Sequence, residues 1–331
     1  MAPEKITINE VAREAGVSIA TVSRYLTSPI SIKKENRSRV EQAIKSLHYK
    51  PYVYARKLAG GKLGVFGLVI PGYEGIFYSF YALEILRGMG FELKNINKDL
   101  YLHIYWGEDR LNSSLVDGII FADVLENERQ LKRILKEKIP CVVINKKTDD
   151  LEVSYVAIDN FKGAYRATEH LIKQGHTKIA HIAGDLRVES AQERLSGYRK
   201  ALSDHKLNVR DNFMKEAHFS RPEARRVVEE LFSQSEVPTA IFAGSDDMAL
   251  EVFHFAQKEN IKFPEDLSLI GFDDNPLCMY ENLELTTVRQ PIREMVSVAV
   301  DILKKTVDKK EGIVKKMLEP ELVIRKSVSA V

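Results

Sequence analysis

The sequence predicts two fold classes in one chain: an all-α head, and an α/β body of two doubly wound parallel-sheet subdomains. Three observations carry this reading. The first fifty residues show helical spacing with caps and a glycine stop. From Gly64 onward, short apolar runs alternate with helical stretches, the pattern of parallel strands covered on both faces. Charge separates the two parts: residues 1–62 hold 12 Lys+Arg against 5 Asp+Glu, a net +7, and the remaining 37 basic and 42 acidic residues give −5. The basic end is the one suited to phosphate.

Within the head, Thr7 and Glu10 have capping-box spacing, so a helix should begin near Ile8, with Val11, Ala12 and Ala15 forming a small apolar face. Gly16 suits a left-handed stop, and Val17 plugs the turn. Ser18 caps a second helix whose Val22 and Tyr25 point inward. Ile19, Ala20, Ser23, Arg24 and Thr27 then share the outer face, as a recognition helix in a major groove requires. A third helix is expected over about 35–48 with Val40, Ile44 and Leu47 inside, completing a helix-turn-helix head over residues 1–50. The segment 51–61, from Pro51 to Gly60-Gly61, breaks that helix and reads as a linker or one or two helical turns. Arg56 can meet phosphate there, and Leu58 has no evident core of its own.

The 331-residue length exceeds one core, leaving room for two domains of ordinary size beyond the basic segment. Strands are expected near 64–71, 101–106, 117–122 and 140–145. A second series is expected to begin with Val156–Asp159 and to continue through strands at 178–184, 239–244 and 267–274, with helices over GAYRATEHLIKQG, ERLSGYRKAL, 221–234 and 246–259. No run of about 18 apolar residues and no signal-peptide core occurs, so neither a membrane span nor export is expected. Cys141 and Cys278 lack metal or disulfide spacing and read as buried thiols; no metal and no cofactor are expected.

Ligands in open parallel sheets bind beyond the carboxyl ends of strands. Asn145, Ser245, Asp246, Asp273 and Asp274 stand at those ends, and none is placed as a nucleophile beside a base. Amides and carboxylates there, with an arginine and aromatic rings, suit a polyhydroxylated ligand. Asp246 reads equally well as a cap of the helix DDMALEVFHFA.

The segments EVAREAGVSIATVSR, YKPYVYARKLAGGKLGVFGLVIP, VSYVAIDNFKGAYRATEHLIKQGHTKIAHIAG, ERLSGYRKAL, PTAIFAGSDDMAL, PEDLSLIGFDD and LTTVRQP resemble, in order and over nearly the whole chain, the LacI/GalR family of bacterial transcriptional repressors. The resemblance implies a cytoplasmic, nucleoid-associated homodimer without enzymatic activity. It implies heads that read a pseudo-palindromic operator, a hinge at 51–61, and a periplasmic-binding-protein-like effector body at 62–331. In that body the N-subdomain would take about 62–157 plus 291–319, and the C-subdomain about 158–290 plus 320–331. Ile19 and Ala20 match the specificity positions at the front of the recognition helix, and Arg24 the base-contacting arginine; with two apolar residues in front, direct readout leans on Arg24. Ser18, Thr21, Ser23, Asn36 and Tyr49 match backbone-contacting positions, and Leu58 the leucine that wedges into the minor groove.

For the effector, a sugar or sugar phosphate, the resemblance implies Arg194, Asp273, Phe219 and Gln290, with Tyr81 as the best match for an aromatic that Phe77 or Tyr78 could also supply. Asn145 stands where an aspartate is common and Ser245 where an asparagine is common, which implies a less acidic pocket than a monosaccharide site usually has. The family helix between HIYWGED and NSSLVDGII is reduced here to about Asp109–Leu115, and the chain lacks the leucine-heptad tail of tetramers. Two rival classes are a sugar-binding transport protein, which the basic head opposes, and a sugar-metabolising enzyme, for which neither a Walker A sequence nor a strand-linked GxGxxG is present.

Overall fold

The structure is a computed structural model that describes residues 6–27, 29–47, 49, 62–72, 76–107, 111–123, 127–280, 283–310 and 312–331. The chain divides into two compact units, residues 1–65 with 114–117, and residues 66–113 with 118–331. The hinge positions Arg56 and Leu58 lie outside the described residues.

In the first unit, helices α1 (Ile8–Ala15), α2 (Ile19–Thr27) and α3 (Lys34–Ser46) surround a core of Val11, Ala12, Ala15, Val22, Val40, Ala43 and Tyr49. Local chemistry accounts for each boundary. The backbone N–H of Thr7 donates to the Glu10 carboxylate at 2.6 Å, holding the start of α1. Gly16 adopts φ 61°, where its N–H closes on the carbonyls of the last turn. Thr21 N–H donates to Ser18 Oγ at 3.2 Å, capping α2. The third helix stops at Ser46, with Leu47 N–H closing on Ala43 O at 3.0 Å. Asp117 accepts from the Leu63 and Gly64 N–H groups at 2.6 and 2.8 Å.

The second unit contains two six-stranded sheets. Strands β1 (Val65–Pro71), β2 (Asp99–Tyr105), β3 (Gly118–Ala122), β4 (Cys141–Ile144), β5 (Ser154–Ile158) and β11 (Lys315–Leu318) form the first, in the order β11-β5-β4-β3-β1-β2. The second comprises β6 (Ile179–Ala183), β7 (Met214–Glu216), β8 (Ala240–Ala243), β9 (Ser268–Asp273), β10 (Thr286–Arg289) and β12 (Glu321–Val323), in the order β12-β10-β9-β8-β6-β7. Parallel pairing sets Ile119 opposite Cys141 in one sheet and Ala240 opposite Ser268 in the other; β12 runs antiparallel to β10. The central strands are buried on both faces, which is why their sequences are continuous apolar runs and not alternating ones.

The expectation that Val156–Asp159 opens the second series is corrected. Strand β5 pairs with β4, Val143 opposite Tyr155, and belongs to the first sheet. An apolar run carries no information about which neighbour it pairs with. The chain passes between sheets at Asp159, at Gln290-Pro291 and at Glu319-Pro320.

Helices α4 (Phe80–Asn95), α5 (Glu128–Lys136) and α11 (Ile292–Val307) accompany the first sheet. The second has α6 (Asn160–Lys173), α7 (Glu189–Asp204), α8 (Arg221–Phe232), α9 (Asp246–Lys258) and the short α10 (Leu277–Tyr280). Between β2 and β3 the described residues hold a single 3-10 turn, Ser113–Leu115. No helix among the described residues is long and apolar enough to cross a membrane.

Candidate functional site

In the head, Val22 of α2 is fully buried, and the opposite face is open. Ile19 is 50% exposed, Ala20 and Arg24 are exposed, and Thr21 and Ser23 are half-buried beside them. The Ser18 and Thr21 hydroxyls lie 2.9 Å apart at the helix N-terminus. Asn36 is half-buried in the first turn of α3. Tyr49 is a core residue, only 8% exposed, and burial raises its hydroxyl pKa; its ring anchors the head and leaves little surface for a phosphate. The face offers the Arg24 cation, the apolar Ile19 and Ala20, and the hydroxyls of Ser18, Thr21 and Ser23.

In the body, a cavity of about 320 Å³ lies beyond the carboxyl ends of the strands of both sheets. Arg194 on α7 is its buried cation, 3% exposed. Its Nε donates to Asn160 Oδ1 at 3.0 Å and its Nη1 to the Gly244 carbonyl at 2.6 Å, and the guanidinium stacks 3.7 Å from the Phe272 ring centre. Neutral partners and a ring therefore orient it, while burial lowers its pKa and Asp273 opposes that change.

Asp273 closes β9 with φ 129°, and its carboxylate accepts from the Gln290 amide. Burial holds its pKa well above the usual aspartate range; Arg194 opposes the shift and Asp246 adds to it. Asp246, fully buried, accepts from Asn275 N–H at 2.6 Å and Thr287 Oγ1 at 2.7 Å, so it clamps the loop that carries Asp273. Burial, foremost, pushes its pKa up to about 7.

Phe219, at φ 57°, lays its ring over Gly184; a methyl group at Gly184 would sit 2.0 Å from that ring, so only glycine leaves space for it. Asn145 follows β4 at φ 65°, and its Oδ1 has no hydrogen-bond partner; neither has Oε1 of Gln290 nor the buried hydroxyl of Tyr81. Ser245 lines the cavity, but its Oγ accepts from Met248 N–H at 3.3 Å as the cap of α9. Of the three aromatic candidates, Tyr81 lines the cavity, whereas Phe77 and Tyr78 are exposed elsewhere.

The cavity thus gathers Tyr81, Asn145, Arg194, Phe219, Ser245, Asp273 and Gln290. It also contains residues the sequence reading missed. Asp123, Asp185 and Asp247 add carboxylates, so the aspartate-to-asparagine change at position 145 does not leave the pocket poor in acid. Asp123 follows β3 and Asp185 lies just past β6, so the strand-end rule applied to every strand would have found both. His218 follows β7, a three-residue strand too short to produce a periodic signal. The apolar lining, Ile70, Ile76, Ala82, Ile85 and Ala122, is sequence-silent because it reads as ordinary core.

Comparison with known proteins agrees with both units. Residues 7–52 match the family described as bacterial regulatory proteins, lacI family, and residues 168–328 match the periplasmic binding protein-like domain. The chain is 35% identical to the catabolite control protein A of Priestia megaterium, covering 92% of this chain and 93% of that one. It is 31% identical to the transcriptional repressor PurR of Aliivibrio salmonicida, covering 97% and 98%. Among solved structures it resembles the transcriptional regulator CelR in complex with cellobiose (TM-score 0.73, 26% identity, 98% of this chain and 100% of that one). It shares the fold of a lac repressor dimer bound to operator and an anti-inducer (TM-score 0.81, 23% identity, 99% and 100%). The chain belongs to the LacI family and is a DNA-binding transcriptional regulator, not an enzyme.

Proposed function

We propose that the protein is a cytoplasmic, nucleoid-associated repressor of a sugar-utilisation operon. It binds a pseudo-palindromic operator as a homodimer and is controlled by a small sugar in the body. The observation that carries the ligand half is the cavity itself: a buried arginine on a helix and a buried aspartate at a strand end, with an aromatic ring and unpartnered amide oxygens around them. That set offers bidentate polar contacts and a stacking face, and no nucleophile–base pair. The complex of CelR with cellobiose is an instance of such a body holding a sugar.

In this reading residues 1–50 form the DNA head, 51–61 the hinge and 62–331 the effector and dimerisation body, the latter split at about 157/158, 290/291 and 319/320. Arg24 reads a base, Ile19 and Ala20 touch methyl groups, and Ser18, Thr21, Ser23, Asn36 and Arg56 set register, while Tyr49 holds the core beneath them. Leu58 wedges the operator centre. The effector acts only through a difference in affinity between the DNA-competent state and its alternative.

Titrating operator DNA from the regulator's own upstream region, with and without a panel of sugars, tests the reading. Salt-sensitive specific binding that at least one sugar shifts supports it; operator affinity unchanged across the panel overturns the sensing role. Arg24→Ala should lose about 1–3 kcal/mol of discrimination at one base position. Equal weakening on all sequences would make Arg24 a phosphate ligand instead.

A further inference from the structure

We propose that Asp185, Glu216 and His218 form a site for a divalent transition-metal ion of the zinc type at the edge of the cavity, where the ion competes with the Arg187 side chain. The inference does not depend on which small molecule the cavity takes.

The fold brings the three residues together from two neighbouring strands. β6 and β7 run parallel with Ala183 opposite Glu216, and Ala217 N–H donates to Ala183 O at 2.9 Å. Asp185 lies just past β6, Glu216 ends β7 and His218 follows it, so their side chains converge beyond the carboxyl ends of both strands. One ligand atom from each lies within 4.8 Å of the other two, and His218 Nδ1 stands 3.1 Å from Glu216 Oε1. Atoms bound about 2.0–2.2 Å from one zinc ion stand roughly 3.0–4.4 Å apart. The observed spacing needs only a small adjustment, which the exposed His218 and half-buried Glu216 side chains can make. Asp185 and His218 also line the cavity, so an ion held by three side chains keeps its remaining positions open toward water or a ligand.

The donor set selects the class of ion. An imidazole nitrogen suits zinc and its transition-metal neighbours, whereas calcium and magnesium are oxygen-binding ions that gain little from it. Backbone donors orient both carboxylates: Leu186 N–H donates to Glu216 Oε1 at 2.8 Å, and Arg187 N–H to Asp185 Oδ1 at 2.9 Å. The Arg187 side chain stands in the ion's way, its Nε 3.0 Å from Asp185 Oδ1 and its Nη2 2.6 Å from Oδ2. That side chain is 64% exposed, so the ion pair is screened and the guanidinium can swing into solvent at little cost. A dication brings two charges to the two carboxylates and also takes the imidazole nitrogen as a ligand. If these groups were ordinary surface ion pairs, removing Arg187 would gain nothing for a metal.

Calorimetric titration of the untagged full chain with Zn2+, Mg2+ and Ca2+ decides. The expected result is one Zn2+ per chain, bound at least about 100-fold tighter than Mg2+ or Ca2+. His218→Ala and Glu216→Gln should each weaken Zn2+ binding about ten-fold or more, and Arg187→Ala should tighten it about three-fold or more. Thermal unfolding in metal-free buffer shows which variants fold, and the exposed Arg187 keeps the test decisive if another variant does not. Zn2+ binding that is absent, that His218→Ala leaves within about three-fold, or that Arg187→Ala leaves unchanged or weakens overturns the inference, as does equal binding of Mg2+ or Ca2+. Each of these outcomes leaves the operator and effector reading intact.

Discussion

The two halves of the body share a strand order, with a C-terminal strand added at one edge of each sheet, yet they line their common cavity unequally: most of the aliphatic side chains come from the first and the buried arginine from the second. The first half contributes aliphatic side chains from β1, β3 and α4, together with the polar Ser79, Tyr81, Asp123 and Asn145. The second contributes a buried arginine and carboxylates from β6, β9, α7 and α9. Topology therefore settles where a ligand goes, because parallel strands leave a crevice at their carboxyl ends. What the ligand is depends on the few residues at those ends.

The contrast is sharpest at Arg194. Replacing it with Ala should remove the one buried cation among the described lining residues and weaken sugar binding by about 100-fold, measured by calorimetry, because truncating a buried hydrogen-bonded charge leaves its partners stranded. Arg194→Lys should rescue little, since a point ammonium cannot serve Asn160 and Gly244 together in the planar fork. A loss under about three-fold would show that Arg194 does not carry recognition. In the first half, Ile85→Ala should act mainly on stability, by about 2 kcal/mol in urea unfolding. That is the low end for such a truncation because one side of Ile85 already faces the cavity.

The halves should also differ in pH response, and the groups responsible sit in the second half. Asp246, raised from 3.8 to about 7, binds a proton on folding between those values, so its contribution to stability falls as pH rises through that window. His181, stacked between Tyr198 and Phe242 and lowered by burial from 6.5 to about 4, sheds a proton on folding, so its contribution rises with pH between about 4 and 6.5. The trends oppose each other in the native chain. His181→Asn should unmask the falling limb, making the variant more stable at about pH 5 than at about pH 7 relative to the native protein, and Asp246→Asn should tilt the profile the other way. Parallel profiles for all three proteins would refute the opposition.

The smallest effect is expected at Arg187→Ala. Its side chain is 64% exposed and its ion pair with Asp185 is screened by solvent, so stability should change by less than about 1 kcal/mol in thermal denaturation.

Legibility in the sequence followed the range of the interactions. The head could be read almost to the residue because Thr7–Glu10, Gly16 and Ser18 act on neighbours three or four positions away. Tyr49 is the exception: its place in the head core depends on all three helices. In the body, apolar runs announced most strands, yet β7 was too short to register. Arg194, Asp273 and Gln290 were identifiable from the family pattern, whereas Asp247 looked like any first-turn acid of a capped helix.

By itself the sequence determined the two-part plan, the second head helix with Arg24 on its outer face, and the parallel-sheet character of the body, since caps, periodicity and continuous apolar runs are local properties of the chain. Only the tertiary structure decided that β5 closes the first sheet, that Ser245 caps a helix at the pocket edge, and that Ile70, Ile76, Ala82, Ile85 and Ala122 face carboxylates across a cavity. The reason is physical: which strand pairs with which, and which buried side chain borders a void, depend on segments far apart in sequence, and no local pattern records them.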